Sequence, residues 1–97
     1  MTPVKKIEIV TASVEIENVA RVLERLGVSG YTIVREVEGS GGRGRRTGGE
    51  LTGALTNSYV MTACPPDDVS RIVEAIRPIL ERFGGVALVT DALWVRH

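Results

Sequence analysis

The sequence predicts an α+β domain built as β-α-β, a long loop, then β-α-β again. Three observations predict it. Apolar residues recur first at strand spacing and then at helical spacing, and this order occurs twice in 97 residues. Seven of the 11 glycines fall between Gly39 and Gly53, which separates the two halves. The composition is 43% hydrophobic with only four aromatic residues, so the core must be aliphatic and a disordered chain is excluded.

Each element follows from its own residues. Residues 5–11 alternate Ile7 and Ile9 with Lys6 and Glu8, a strand pattern. Ser13 is placed as a helix N-cap, with Glu15 and Glu17 behind it, where a helix start favours negative charge. Ile16, Val19, Ala20, Leu23 and Leu26 then share one helical face over residues 13–26, and Gly27 supplies the C-terminal cap. Residues 31–37 are β-branched and aromatic, a second strand. Residues 38–57 show neither period and predict a long mobile loop; loops of that length in compact domains are usually functional.

Residues 58–64 predict a third strand. Pro65, Pro66, Asp67 and Asp68 suit a helix start, and Val69, Ile72, Val73, Ile76, Ile79, Leu80 and Phe83 give that helix its buried face. Pro78 should kink it or divide it near Arg77. Gly84 and Gly85 end it, and residues 86–95 form the fourth strand. Two βαβ units of this size make a ferredoxin-like split sheet with both helices on one face. Val34, Val37, Val60 and the last strand then look too apolar for the open face to meet water, which self-association would solve.

Composition and charge exclude several functions. Twelve Lys and Arg balance twelve Asp and Glu, so the basic excess of a non-specific nucleic-acid binder is missing. One cysteine, Cys64, permits no internal disulfide and no Cys-rich zinc site, and fits a cytoplasmic location. One histidine, His97, leaves no basis for a Ser-His-Asp triad or a multi-histidine metal site within the chain. No acid-base pair stands out, so the chain is not expected to be an enzyme. No stretch is long enough for a membrane helix and no signal peptide is evident. Cys64 is expected to pack, Tyr31 and Tyr59 to sit in the sheet, and Trp94 to cover a subunit interface or a sheet end.

The chemistry concentrates in the loop, where Gly39-Ser40-Gly41-Gly42-Arg43-Gly44-Arg45-Arg46-Thr47-Gly48-Gly49-Glu50 mixes glycine with arginine. Successive backbone N–H groups in such a run form anion nests, and guanidinium groups match phosphate or carboxylate. An anionic ligand that orders the loop is the expectation. The run lacks the Walker Gly-Lys-Ser/Thr and precedes a strand, so it is neither a P-loop nor a dinucleotide fingerprint.

The order of these elements resembles the PII signalling superfamily, most closely its PII-like branch linked to bicarbonate transport and carboxysomes (the CPII and SbtB type). The resemblance rests on Leu26-Gly27-Val28-Ser29-Gly30-Tyr31-Thr32-Ile33 at the helix-to-strand junction, on Gly39-Ser40-Gly41-Gly42-Arg43 at the start of the family's T-loop, on Pro66-Asp67-Asp68 at the second helix and on Gly84-Gly85 at the B-loop. It implies a homotrimer with an adenine nucleotide in the cleft between subunits and a T-loop that switches when the nucleotide binds. By position, Gly39, Gly41, Arg43, Arg45 and Arg46 would wrap the phosphates. Thr32, Gly84, Gly85 and Val86 would complete the near side, and Thr62 and Cys64 would meet the adenine from the adjacent subunit.

Departures from the family shape the expected ligand. Val86 stands where the family has a lysine, and the sequence ends at His97 before the family's two C-terminal phosphate-binding arginines, which Arg96 would replace only in part. Less positive charge predicts AMP, ADP or cyclic AMP in preference to ATP. No tyrosine lies between Glu38 and Asn57 to accept the uridylyl group of nitrogen-sensing relatives. The branch further implies bicarbonate as a second anion and a bicarbonate transporter or other membrane protein as partner, with recruitment to the membrane or a carboxysome. Two other classes share the architecture, a trimeric metal- or small-molecule-binding protein of the cation-tolerance type and an RNA-binding module. The single His and Cys speak against the first, and the neutral charge with few aromatics against the second.

Overall fold

The computed structural model describes residues 1–41, 44–46 and 56–96. The chain runs β1 (Thr2–Ala12), α1 (Ile16–Arg25), β2 (Tyr31–Val37), β3 (Gly39–Gly41), β4 (Gly44–Arg46), β5 (Asn57–Cys64), α2 (Val69–Phe83) and β6 (Gly85–Trp94). Short 3-10 turns at Ser13–Glu15 and Pro66–Asp68 lead into the two helices. The main sheet has the order β2-β5-β1-β6, with every neighbouring pair antiparallel. This is the ferredoxin-like α+β fold that the periodicity predicts.

The core lies between the sheet and the helix layer. Alternation along β1 and β5 turns Ile7, Ile9 and Val60 inward, where they meet Ile16, Val19 and Leu23 of α1 and Ile72 and Ile76 of α2. All eight are essentially inaccessible to water. Fully burying an aliphatic side chain of this kind contributes about 1.5–3 kcal/mol, so this layer drives folding.

Several details differ from the sequence expectation. Val60 belongs to the core and not to the open face: it pairs with Ile9 and Ile33, and residues directly opposite share a face. Ser13 does not cap α1. It opens a 3-10 turn without a side-chain cap bond, because its hydroxyl is taken by Ser58 and Thr56. Pro78 neither divides nor ends α2, which runs unbroken to Phe83. It sits on the exposed side, where water can satisfy the carbonyl that loses its amide partner. The loop is not without structure, since β3 and β4 pair as a two-stranded ribbon at its base. The remainder of the loop expectation, residues 42–43 and 47–55, lies outside the described residues.

The face away from the helices is open. Val34 of β2 and Val86, Leu88 and Trp94 of β6 each expose about half of their surface there. Trp94 closes the far end of β6, paired with Thr2. In the middle of this face the Tyr59 hydroxyl donates to Glu8 Oε2 at 2.7 Å, and Lys6 Nζ lies 3.6 Å from Glu8 Oε1.

Candidate functional site

One end of the sheet gathers the chain's turns. Thr11 pairs with Gly85, Ala12 with Asn57, and Asn57 with Val37, so β1, β2, β5 and β6 all reach this end. The ribbon leaves from here two residues after Val37. Its register is Gly39 with Arg46, Ser40 with Arg45 and Gly41 with Gly44. Gly39, Gly41, Arg45 and Arg46 therefore share one small element. Arg43 lies outside the described residues.

The turn from α2 into β6 presses against the same end. Gly84 and Gly85 both have positive φ, 78° and 126°. A side chain on Gly85 would place its Cβ 2.2 Å from the Val10 carbonyl oxygen, so only glycine fits. The Gly84 carbonyl accepts a 2.8 Å hydrogen bond from the buried Thr11 hydroxyl. Val86 follows on the open face, opposite Val10.

The base of the loop has a strained residue and a cluster of hydroxyls. Glu36 has φ 59°, and the β2–β5 register shifts between Val34 and Val37. A left-handed conformation costs a non-glycine residue roughly 1–2 kcal/mol and is kept only where the surroundings fix it. Here the Glu36 N–H reaches Ser58 Oγ at 3.4 Å. Ser58 Oγ lies 2.8 Å from Ser13 Oγ, and the Thr56 hydroxyl donates to Ser13 Oγ at 2.8 Å. Sequence reasoning missed Thr11, Thr56 and Ser58. The available signal was positional: Thr11 continues the inward row of Ile7 and Ile9 in β1, and Ser58 lies two residues before the inward Val60 in β5.

Thr32, Thr62 and Cys64 lie at the opposite end. Thr62 pairs with Tyr31, Thr32 with Met61 and Cys64 with Lys5. Thr62 lies five positions along β5 from Asn57, about 17 Å at strand rise. Thr32 sits with Thr62 and not with Gly84, because β2 starts away from the β6 start: Tyr31 shares a row with Thr62, Ile7 and Val89. The Thr62 side chain is buried and its hydroxyl donates to the Gly30 carbonyl at 2.6 Å. Burial, reinforced by the Asp68 charge, pushes the Cys64 thiol above its ordinary value, so it packs as an inert hydrophobe. The β2 ladder stops at Tyr31, so among the described residues Ala63 and Cys64 have no strand partner on that side.

The flanks are ion-paired and close to neutral. Arg35 bridges Glu17 on α1 at 2.5 Å, and the Tyr31 hydroxyl donates to Glu24 at 2.9 Å. Among the described residues no group of three or more His, Cys, Asp or Glu is placed to hold a metal ion. Among them, too, no helix is long and apolar enough to cross a membrane.

The chain matches the family of nitrogen regulatory protein P-II over residues 4–97. It is similar to CPII of Thiomonas intermedia K12, a nitrogen regulatory PII-like protein whose structure was solved with ADP, AMP and bicarbonate. The two share 32% identity and a TM-score of 0.84, over 93% of this chain and 86% of that one. A second structure of CPII, with ADP, AMP and acetate, superposes with a TM-score of 0.81 at 29% identity, over 98% and 91% of the two chains. A putative PII-like signalling protein from Thermus thermophilus shares the fold, with a TM-score of 0.78 at 23% identity over 94% and 88%. No curated protein matches.

Proposed function

The chain belongs to the nitrogen regulatory P-II family as a PII-like signalling regulator, and from that membership we propose that it is a non-enzymatic homotrimer that senses adenine nucleotides between its subunits. ADP and AMP are the proposed ligands, with cyclic AMP as a further candidate. Gly39, Gly41, Arg43, Arg45 and Arg46 hold the phosphates together with Gly84, Gly85 and Val86. Thr32, Thr62 and Cys64 approach the adenine from the neighbouring subunit. The observation that carries this is the separation of the two groups: they lie about 17 Å apart at opposite ends of one sheet. One nucleotide reaches both only across a subunit boundary. The buried Thr62 and Cys64 side chains leave their backbone, next to the free ladder positions, as the contact.

The open apolar face supplies the boundary. Val34, Val86 and Leu88 lose water when three sheets meet, and Tyr59 and Glu8 already satisfy each other there. Val86 brings no charge to the phosphates, so the site favours AMP and ADP over ATP. Bicarbonate is the proposed second anion, bound by charge-assisted hydrogen bonds in the ordered loop. The loop then switches between two states according to the ligand and regulates a bicarbonate transporter or another membrane protein from the cytoplasm. Carboxysome association belongs to the same reading.

Light scattering and titration calorimetry test it. A trimer that binds ADP and AMP, with affinity raised by bicarbonate, is expected. A monomer overturns the intersubunit site, and ATP bound about tenfold tighter than ADP, some 1.4 kcal/mol, overturns the stated preference. Affinity and loop exchange indifferent to bicarbonate remove the second anion.

A further inference from the structure

Three hydroxyls join the two legs of the loop to the start of the first helix. Thr56 closes the returning leg, Glu36 ends the outgoing one and Ser13 opens the turn into α1. Thr56 donates to Ser13 Oγ, Ser13 Oγ and Ser58 Oγ share a hydrogen bond at 2.8 Å, and Ser58 Oγ also receives the Glu36 N–H. A backbone bond runs alongside, from Ser13 N–H to the Thr56 carbonyl at 2.8 Å. Thr56 and Ser58 are fully buried, so each hydroxyl relies on protein partners in place of water.

We propose that Ser13, Thr56 and Ser58 form a clasp that fixes the base of the ribbon, and that the three are positioning residues for binding a phosphate-bearing adenine nucleotide. The ribbon begins at Gly39, three residues beyond the left-handed Glu36. A change in Glu36 therefore re-aims Gly39, Gly41, Arg45 and Arg46 relative to the Gly84–Gly85 turn. The clasp also makes α1 the anchor: the loop is fastened to a helix whose inner face is core, not to another loop. The nucleotide half of the proposal rests on the function proposed above; the positioning half does not.

Amide hydrogen exchange on the trimer or monomer as it exists in solution, with ADP calorimetry beside it, tests the clasp. Thr56→Val keeps the shape and removes the hydroxyl; Thr56→Ser keeps the hydroxyl. Thr56→Val is expected to speed exchange in Gly39–Gly41 and Gly44–Arg46 by about fivefold or more, the worth of one neutral hydrogen bond. ADP affinity should fall by a similar factor, core amides of β1 and β5 should stay at parent rates, and Thr56→Ser should behave as the parent. Should Thr56→Val not fold, Ser13→Ala at its half-buried position carries the same expectations. Ribbon exchange that is unchanged, or that rises only in step with the core, overturns the clasp. A parent protein that binds no ADP overturns the nucleotide reading, and the exchange result still decides the clasp.

Discussion

The Thr11 hydroxyl donates to the Gly84 carbonyl across 2.8 Å and ties the end of the first strand to the turn before the last. The bond is buried, and Thr11 is wholly shielded from water. Thr11→Val has nearly the same shape and orphans that carbonyl. It should cost about 1–3 kcal/mol, read as a lower urea midpoint with an unchanged slope. Thr11→Ser should retain most of the stability.

Two glycines should answer differently to the same change. Gly85→Ala drives a methyl into the Val10 carbonyl in a conformation that alanine avoids, and should cost on the order of 3 kcal/mol. Gly30 has open space around its Cβ position and no positive φ. Gly30→Ala should be neutral or stabilising by about 0.5 kcal/mol, through the unfolded chain. Thermal melts of the two variants side by side check both outcomes.

Tyr59 gives acid stability a recognisable source. Its hydrogen bond is the main reason the Glu8 carboxyl titrates below its ordinary 4.5, with Lys6 adding to it and partial burial opposing. A lowered folded pKa adds stability that is complete above 4.5 and is lost as pH falls through Glu8's own lower value. Tyr59→Phe should therefore melt below the parent at pH 7. The gap should narrow as pH drops below 4.5. A gap constant down to strong acid would show that Glu8 is not the group responsible.

Leu88 tests the open face. It is more than half exposed on β6, directly opposite Glu8. Leu88→Lys puts a charge where the face should be dry, yet within one subunit it gains an acidic neighbour. The variant should fold and lose self-association, since each leucine buried there is worth about 1.5–3 kcal/mol. Light scattering that still returns the parent's mass would mean the subunits meet elsewhere.

Much of this fold was legible because its strands and helices announce themselves through side chains. Ile7 and Ile9 alternate, Ile72 and Ile76 recur at one helical turn, and the glycines mark the boundaries. What was not legible is held by backbone or by distant hydroxyls. The β3–β4 ribbon consists of glycines, a serine and arginines, which carry no apolar period. Ser13 has the local signature of an N-cap, but its partners, Ser58 and Thr56, lie more than forty residues away. Val60 reads as surplus to the core only because a one-residue shift in register decides which face it takes. The candidate site was legible as a composition, glycine with arginine, and its division between two sheet ends emerged only with the strand order.

That strand order also governs how the molecule is made. β1 lies inside the sheet, yet its two neighbours, β5 and β6, both come after α1 and β2 in the chain, and Thr2 pairs with the distant Trp94. During synthesis β1 waits with both edges unpaired until β5 and β6 have emerged. Contacts this distant in sequence slow folding, and bare strand edges invite pairing with the wrong chain. Lys5, Lys6 and Glu8, carried in the middle of that strand, make it a poor partner for stray edges while it waits.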